Sequence, residues 1–374
     1  MPSVSVERLP VQLLGLGVLG FDHLQIVFRF GPEAQQDDWF VIEGLREQDG
    51  ASVHLAVEGW HGGTTLSDAN GGLSGAELAD KIGTSASRGA HVIASGSEAI
   101  SIWAEIVAHA TDIEAQRLPY IPVALPSSPL PTINSSSLVA SLLHHAGIAV
   151  ADALPTGLRF SPGMGTLIGT SRGDVLTAAD GFTTLVGGGG ADVLIGGNDP
   201  RVVDKLYGGA GDDTFRWSGG SNIYHGGQPG LAYAKDGVDT VDYSGAGEIR
   251  IEAVPAGAAH RQPDFVVTHA GGQDYLFSIE EIVWDGQRDR VAVGQGVGLV
   301  ARPETSDGAD VHGKADSLFS AHRAPIPVPD DPLARDEDLH GIWVSRLPAL
   351  GLLDVPLTDS LHGALPPVDP SAGE

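Results

Sequence analysis

Residues 187–195 read GGGGADVLI, and residues 208–216 read GGAGDDTFR. Both segments fit one nine-residue template, G-G-x-G-x-D-x-U-x, in which U is a large apolar residue. The glycines suit a tight turn, because they adopt positive φ values and allow close backbone approach. The residues around U suit a short strand whose apolar side chain points inward. We therefore predict that turn-and-strand units repeat along this part of the chain.

The same frame extends on both sides of these two segments, from residue 169 to residue 242. It places a large apolar residue at U in seven units: Leu176, Leu185, Leu194, Leu206, Phe215, Tyr224 and Val241. Insertions of three residues at 196–198 and eight residues at 226–233 interrupt the frame, and surface loops can absorb both. A Gly/Asp-rich linker would not keep this apolar position, so the pattern predicts seven stacked half-turns of a parallel β-roll.

Two nonapeptides complete one coil, so residues eighteen positions apart stack on the same side. Asp174 and Asp192 are eighteen apart, and Asp213 and Asp239 join their column once the insertions are subtracted. The opposite column is poorer in carboxylates. Its members are Thr183, Asp204 and Asn222.

Stacked aspartates and turn carbonyls are a suitable set of ligands for Ca²⁺, which takes about six to eight hard oxygens. We predict about three calcium sites along the first column and at most one weak site, at Asp204, on the other. The carbonyl ligands are expected from the turns on either side of Asp192. These turn residues are Gly187, Gly189, Gly208 and Ala210.

The nonapeptides resemble those of the repeats-in-toxin (RTX) family, and the resemblance covers about a fifth of the chain. It implies a secreted, extracellular protein that leaves through a type I secretion apparatus. Residues 279–282 (IEEI) and Asp289 resemble the closing segment that often caps such rolls.

The chain is strongly acidic, with 21 Lys and Arg against 48 Asp and Glu and a formal charge of −27. No basic stripe is present, which argues against nucleic acid and anionic lipid as partners. Clustered carboxylates repel one another until a cation neutralises them. The composition therefore favours a roll that folds at the millimolar calcium concentrations typical of extracellular modules.

The chain contains no cysteine, which excludes disulfides, thiol catalysis and Cys-ligated zinc. No apolar run reaches the roughly 18 residues that a membrane helix needs, so no transmembrane segment is predicted. The N-terminal residues do not fit a cleaved signal peptide. Composition does not indicate the oligomeric state.

Residues 10–155 are predicted to form an α+β domain, residues 165–300 the roll with capping strands, and residues 304–374 a mostly flexible, Pro- and Asp-rich tail. Alternation and β-prone composition predict strands in the first domain at 23–30, 39–44 and 52–57. Helical periodicity predicts helices at 98–114 and 135–146, and residues 60–75 are expected to form a loop.

One constellation in the first domain is a candidate for catalysis. His23 begins a predicted strand, and residues 134–139 (NSSSLV) begin a predicted helix. This order resembles the circularly permuted papain-like fold of the lecithin–retinol acyltransferase type. The resemblance implies that His23 is the base, that Asn134 matches the family's asparagine, and that Ser135 stands at the nucleophile. Glu43 stands where that family has a polar residue that orients the histidine.

Ser135 departs from that family, which has a cysteine there. A hydroxyl gains less than a thiol from a helix N-terminus and depends on a well-placed base, which a His23–Glu43 pair would provide. Plainer roles remain open: residues 135–137 as helix caps, His23 as a buried histidine and Glu43 as an exposed carboxylate.

Two functions therefore remain. One is a secreted calcium-binding protein whose first domain is a hydrolase or acyltransferase acting on amide, ester or lipid acyl groups. The other is a non-enzymatic secreted binding or cell-surface protein, in which the roll serves calcium-triggered folding. The chain has no H-E-x-x-H motif, which argues against a zinc metalloprotease.

Overall fold

The protein has a mixed α+β fold made mostly of sheets, with few helices, as the sequence predicts. The structure is a computed structural model. It describes residues 1–11, 21–49, 52–58, 64–124, 130–179, 181–228, 237–254, 263–284 and 287–290. The predicted flexible tail, residues 304–374, lies outside the described residues.

The first sheet is antiparallel and contains five strands in the order β4-β3-β2-β1-β5. These strands are β1 (Ser3–Val11), β2 (Phe21–Arg29), β3 (Phe40–Asp49), β4 (Ser52–Glu58) and β5 (His91–Ser95). The strands predicted at 23–30, 39–44 and 52–57 are confirmed as β2, β3 and β4. The sequence prediction missed β1 and β5, the two strands that complete the sheet.

Four α-helices lie among the described residues: α1 (Leu66–Ala69), α2 (Gly75–Ile82), α3 (Ser97–Ala115) and α4 (Ser135–His145). Two short 3-10 helices, Glu33–Asp38 and Val150–Asp152, also occur there. The two predicted helices are confirmed as α3 and α4. The loop predicted at 60–75 is wrong in part, because α1 begins there with a capping box between Thr65 and Asp68. None of these helices is both long and apolar enough to cross a membrane.

The helices cover the two faces of the first sheet differently. Leu24, Ile26 and Ile42 share one buried core with residues of α3 and α4. Val27 and Val41, which alternate with them along β2 and β3, belong to another core with residues of α1 and α2. Since side chains alternate along a strand, these two clusters identify which face each strand residue occupies.

Between residues 166 and 242, alternate strands enter two different sheets. The core of the first is parallel and consists of β6 (Thr166–Ile168), β8 (Thr184–Gly189), β10 (Val203–Ala210), β12 (Ser221–His225) and β16 (Gly272–Phe277). The core of the second is also parallel and consists of β7 (Val175–Thr177), β9 (Val193–Ile195), β11 (Thr214–Arg216), β13 (Thr240–Asp242) and β17 (Glu281–Trp284).

Antiparallel strands extend both parallel sheets. They are β14 (Arg250–Ala253) and β15 (Phe265–His269) beside β16, and β18 (Gln287–Arg290) beside β17. The predicted closing residue Asp289 lies in β18, opposite Ile282. These strands follow the repeat, where the sequence predicts further capping strands.

The predicted apolar positions form the core between the two parallel sheets. All seven U residues are buried, none more than 2% exposed, and all belong to one cluster. Phe215 lies opposite Leu194 on one side and Val241 on the other, so the register is kept across both insertions. The nine-residue frame read from the sequence is therefore confirmed in its inward-facing positions.

Helix α4 connects the first sheet to the coil of parallel strands. Leu138 packs in the core of the first sheet, whereas Ala140 packs with the U residues. Ile168 N–H donates a hydrogen bond to Ser141 Oγ at 2.8 Å. One helix thus contributes to both cores, and the predicted domain division between residues 155 and 165 stays a prediction.

Candidate metal centre and predicted catalytic residues

The four predicted aspartates stack in one column. They are Asp174, Asp192, Asp213 and Asp239, and each directly precedes one of the paired strands β7, β9, β11 and β13. The backbone N–H of Asp174 donates to Asp192 Oδ1 at 2.7 Å, and that of Asp192 donates to Asp213 Oδ1 at 2.9 Å. The N–H of Asp213 donates to Asp239 Oδ1 at 3.0 Å. One oxygen of each of the last three carboxylates therefore fixes the turn before it.

The column has a fifth carboxylate, which the sequence prediction missed. Asp239 N–H donates to Glu280 Oε2 at 2.9 Å, and Glu280 directly precedes β17. The signal was available in the sequence, because Glu280 stands two residues before the buried Ile282, as Asp239 stands two residues before Val241. Residues 279–282 are predicted from sequence as the closing segment, and Glu280 is not among the predicted ligands.

The second oxygen of each aspartate lies beside a glycine and a carbonyl group from the next turn. A Cβ added at Gly187 would overlap both Asp192 Oδ2 and the carbonyl oxygen of Gly208. A Cβ at Gly208 would likewise overlap Asp213 Oδ2 and lie 2.7 Å from the carbonyl oxygen of Gly226. Carboxylate and carbonyl oxygens thus line the same space, which is kept open because these residues are glycine.

The other two predicted carbonyl ligands, Gly189 and Ala210, lie in paired strands. Gly189 and Ala210 are paired in the neighbouring strands β8 and β10. The carbonyl oxygen of Ala210 already accepts a hydrogen bond from Gly190 N–H at 2.8 Å. Gly187 and Gly208 are therefore better placed than Ala210 to offer a carbonyl oxygen to a cation.

Of the aspartates in the column, Asp192 gives the clearest indication of a cation site. Its side chain is buried, and among the described residues its Oδ2 atom has no hydrogen-bond partner. The pKa of the Asp192 carboxyl is raised to about 7, chiefly because the group is buried; the hydrogen bond from Asp174 N–H opposes the rise, and the Asp174 charge adds to it. A buried carboxylate oxygen without a partner is costly, and a cation would remove that cost.

No group of three or more His, Asp and Glu side chains that could hold a metal ion occurs among the described residues. A cation in this column would therefore depend on a pair of carboxylates from successive turns together with backbone carbonyls. Such an all-oxygen set suits Ca²⁺, and the donors that zinc prefers are not part of it.

The opposite column contains two separated carboxylates. Asn222 pairs with Asp204 on one side, and its N–H donates to Asp274 Oδ1 at 2.7 Å on the other. Asp274 Oδ2 accepts a hydrogen bond from Tyr243 Oη at 2.9 Å, so both oxygens of that carboxylate are engaged. Burial raises the pKa of Asp204. The weak site predicted at Asp204 stays a prediction.

Two of the predicted catalytic residues contact each other. His23 Nε2 on β2 lies 2.6 Å from Glu43 Oε2 on β3, and both side chains are mostly buried. This is the contact expected of a histidine whose orientation is fixed by a carboxylate. The alternative of Glu43 as an exposed strand-end carboxylate is wrong, since the residue is only 3% exposed.

Ser135 lies on the other face of the first sheet. Gly44 follows Glu43 on β3, and a Cβ built at Gly44 would lie 3.0 Å from Ser135 Cα. Because strand side chains alternate, Glu43 and its partner His23 point away from α4. A general base must lie within hydrogen-bond reach of the proton that it removes. The structure therefore brings together the acid and the base of the predicted triad but not the nucleophile.

Asn134 is the N-cap of α4. Its Oδ1 atom accepts hydrogen bonds from Ser136 N–H at 2.9 Å and Ser137 N–H at 3.2 Å. Its Nδ2 group donates to the carbonyl oxygens of Pro122 and Pro162. The alternative that residues 135–137 cap the helix is therefore wrong about the N-cap residue, which is Asn134. Ser137 contributes to the cap as the second member of the capping box. The Asn134 side chain is fully used in holding the helix start.

Protein-family models, curated proteins and solved structures were compared with this chain, and none matches. The functional conclusion therefore depends on the column of carboxylates and on the geometry around it.

Proposed function

We propose that this protein is a secreted calcium-binding protein of the RTX type, in which residues 165–300 form a β-roll that folds on Ca²⁺. The observation that carries the proposal is the buried Oδ2 atom of Asp192, which has no hydrogen-bond partner in the part of the chain that the structure describes and lies beside the carbonyl oxygen of Gly208. The seven-unit frame, the parallel pairing and the buried U positions support the same conclusion.

Each calcium ion would be held between two successive turns. Asp174 and Asp192 would share one ion, Asp192 and Asp213 a second, and Asp213 and Asp239 a third, with turn carbonyls completing each set. When bound, Ca²⁺ supplies positive charge that neutralises the stacked carboxylates and links neighbouring turns. A formal charge of −27 makes this neutralisation important for folding.

Extracellular calcium and export by a type I apparatus fit this proposal. A chain without cysteine gains no stability from an oxidising environment through disulfides, and bound calcium ions would supply comparable cross-links. Since the predicted sites are of the millimolar class, the roll would remain unfolded at low intracellular calcium and fold outside the cell.

Isothermal titration calorimetry of the whole protein with CaCl₂ tests the proposed function. We expect saturable uptake of about three ions in the millimolar range or below, and weak uptake of Mg²⁺, which demands a stricter octahedral geometry. An absence of calcium uptake at millimolar concentration would contradict the proposal.

Calcium affinity is expected to fall as the pH is lowered below about 7, the pKa of Asp192 in the folded, calcium-free protein. An unfolded aspartate has a pKa of about 3.9, so between about pH 4 and 7 the folded chain holds a proton that the unfolded chain has lost. The contribution of Asp192 to the stability of the calcium-free fold therefore declines as the pH rises through this range. Calcium binding must displace that proton.

Calorimetric titrations at about pH 6, 7 and 8 check this prediction. We expect the affinity to fall up to about tenfold for each pH unit below the pKa and calcium uptake to release protons near neutral pH. Repeating the titration in two buffers of different ionisation enthalpy measures that release. An affinity that is constant from pH 6 to 8 would contradict the assignment of Asp192 as a ligand.

A non-enzymatic role for the first domain is favoured over catalysis because Ser135 and the His23–Glu43 pair lie on opposite faces of their sheet. Hydrolase or acyltransferase activity stays a prediction. It is tested by assaying wild type and Ser135→Ala, both saturated with calcium, against acyl esters and peptides. Activity that the substitution removes would reverse this preference, and absence of activity in both proteins would support a binding or cell-surface role.

A further inference from the structure

The end of α3 contacts the first turn of the coil, residues 169–174. Gln116 is the C-cap residue of this helix, and its Nε2 group donates to the carbonyl oxygen of Gly169 at 2.9 Å. One helical turn earlier, Asp112 Oδ2 lies 2.5 Å from Arg172 Nη2. Two side chains of one helix end therefore bind the turn that begins the aspartate column.

The carbonyl group of Gly169 occupies a special position in that column. The carbonyl of Gly187 lies beside the Cβ position of Gly169, and the carbonyl of Gly208 lies beside that of Gly187. Each carbonyl of the series thus faces the glycine of the preceding turn. Gly169 is the first glycine of the series, so no glycine of an earlier turn faces its carbonyl group. The Gln116 side chain contacts that carbonyl group instead.

The same glutamine also reaches the second turn. Its Oε1 atom is buried and has no hydrogen-bond partner among the described residues. A Cβ added at Gly188 would overlap this atom and would lie 2.6 Å from the carbonyl oxygen of Thr170. The Gln116 amide therefore lies against the two turns that carry Asp174 and Asp192, the pair that would share the first calcium ion.

We propose that Gln116 is the N-terminal end cap of the calcium column and positions its first two turns for the ion shared by Asp174 and Asp192. The inference rests on the proposed calcium function. Repeat coils need a capped end, since an end unit has a neighbour on only one side. A turn already fixed in its bound conformation binds its ion more tightly, because less ordering remains to be done on binding.

The neighbouring ion pair between Asp112 and Arg172 contributes less to holding the first turn in place. The Arg172 side chain is 73% exposed in its contact with Asp112, and exposed ion pairs add little to stability. Gln116 is only partly exposed, and its amide bridges a helix end and a turn carbonyl. We therefore assign the positioning role to Gln116. Arg172→Ala is expected to change the calcium concentration at the transition midpoint only slightly.

The experiment compares wild type, Gln116→Met and Gln116→Glu in calcium titrations followed by calorimetry and circular dichroism. Met keeps the length of the side chain and removes both polar atoms, whereas Glu keeps the acceptor and removes the donor. We expect both variants to need about three- to tenfold more calcium at the transition midpoint, as loss of one hydrogen bond implies. Gln48→Ala, which changes an exposed glutamine on β3, is the matched control and should keep the wild-type midpoint.

Counting bound ions separates this role from a general structural one, because any loss of fold stability also raises the calcium needed for folding. The count is made at calcium concentrations where circular dichroism shows a folded coil. If Gln116 only stabilised the fold, its variants would bind as many ions there as wild type, and the inference would be overturned; loss of the ion shared by Asp174 and Asp192 supports it. Wild-type midpoints in both Gln116 variants would also overturn it and leave the calcium function intact. If wild type itself takes up no calcium, the proposed function fails and the inference fails with it.

Discussion

Replacing Asp192 with asparagine is expected to weaken calcium binding more than any other single change in the column. Asp192 lies between Asp174 and Asp213, so its carboxylate would serve two neighbouring ions. Asparagine keeps the oxygen that accepts from Asp174 N–H and removes the charge. We expect a loss of about 2 kcal/mol or more per site, which is roughly thirtyfold in affinity. Calorimetric titration with CaCl₂ at about pH 8 measures it.

The same substitution should have the opposite effect without calcium. In wild type, the buried Oδ2 atom of Asp192 has no hydrogen-bond partner within the described ranges, so the charged carboxylate opposes folding until an ion is bound. Asp192→Asn should therefore melt at a higher temperature than wild type in chelator and at a lower temperature in saturating calcium. Asp199→Asn is the control, because the Asp199 side chain is 41% exposed and pairs with Arg201 outside the column. Equal calcium affinity in wild type and Asp192→Asn would show that Asp192 is not a ligand.

Replacing Phe215 with alanine is expected to produce the largest loss of stability among substitutions at the U positions. Phe215 is fully buried, packs 5.4 Å from the Tyr224 ring between centroids, and lies between Leu194 and Val241 in its sheet. Truncating a buried phenylalanine typically costs about 3–5 kcal/mol, because it removes apolar contacts and leaves a cavity. Urea unfolding in saturating calcium, followed by circular dichroism, measures the free energy of unfolding.

Val175→Ala is the matched control for Phe215→Ala. Val175 also belongs to the second parallel sheet, but it is 70% exposed on β7, one residue before the buried Leu176. Its truncation should change the free energy of unfolding by less than about 0.5 kcal/mol. Equal losses at the two positions would contradict the assignment of U as the inward-facing position.

The coil was the most predictable part of this fold. A turn of fixed length followed by one inward-facing residue repeats every nine positions, so one local pattern determines both strand placement and register. Leu194 and Phe215 could be aligned across a three-residue insertion because only that alignment puts both in the core. Glu280 was missed because it stands outside the glycine-rich turns, although its spacing to Ile282 matches the column.

The first sheet was less predictable because its strands pair with distant parts of the chain. Strand β1 pairs with β5, more than eighty residues later, and no local signal specifies that partner. The buried Glu7 also makes one face of β1 polar, which weakens its apolar pattern. The faces of His23 and Ser135 could not be assigned from sequence, because that requires knowing which side of the sheet α4 covers.

Thermal melting of the whole protein, followed by far-UV circular dichroism in millimolar CaCl₂ and in excess chelator, tests most directly whether calcium holds this coil together. We predict that chelator removes much of the β-sheet signal and lowers the melting temperature, and that restoring CaCl₂ recovers both. Identical spectra and melting temperatures in the two conditions would contradict the account, because the aspartate column would then be stable without an ion.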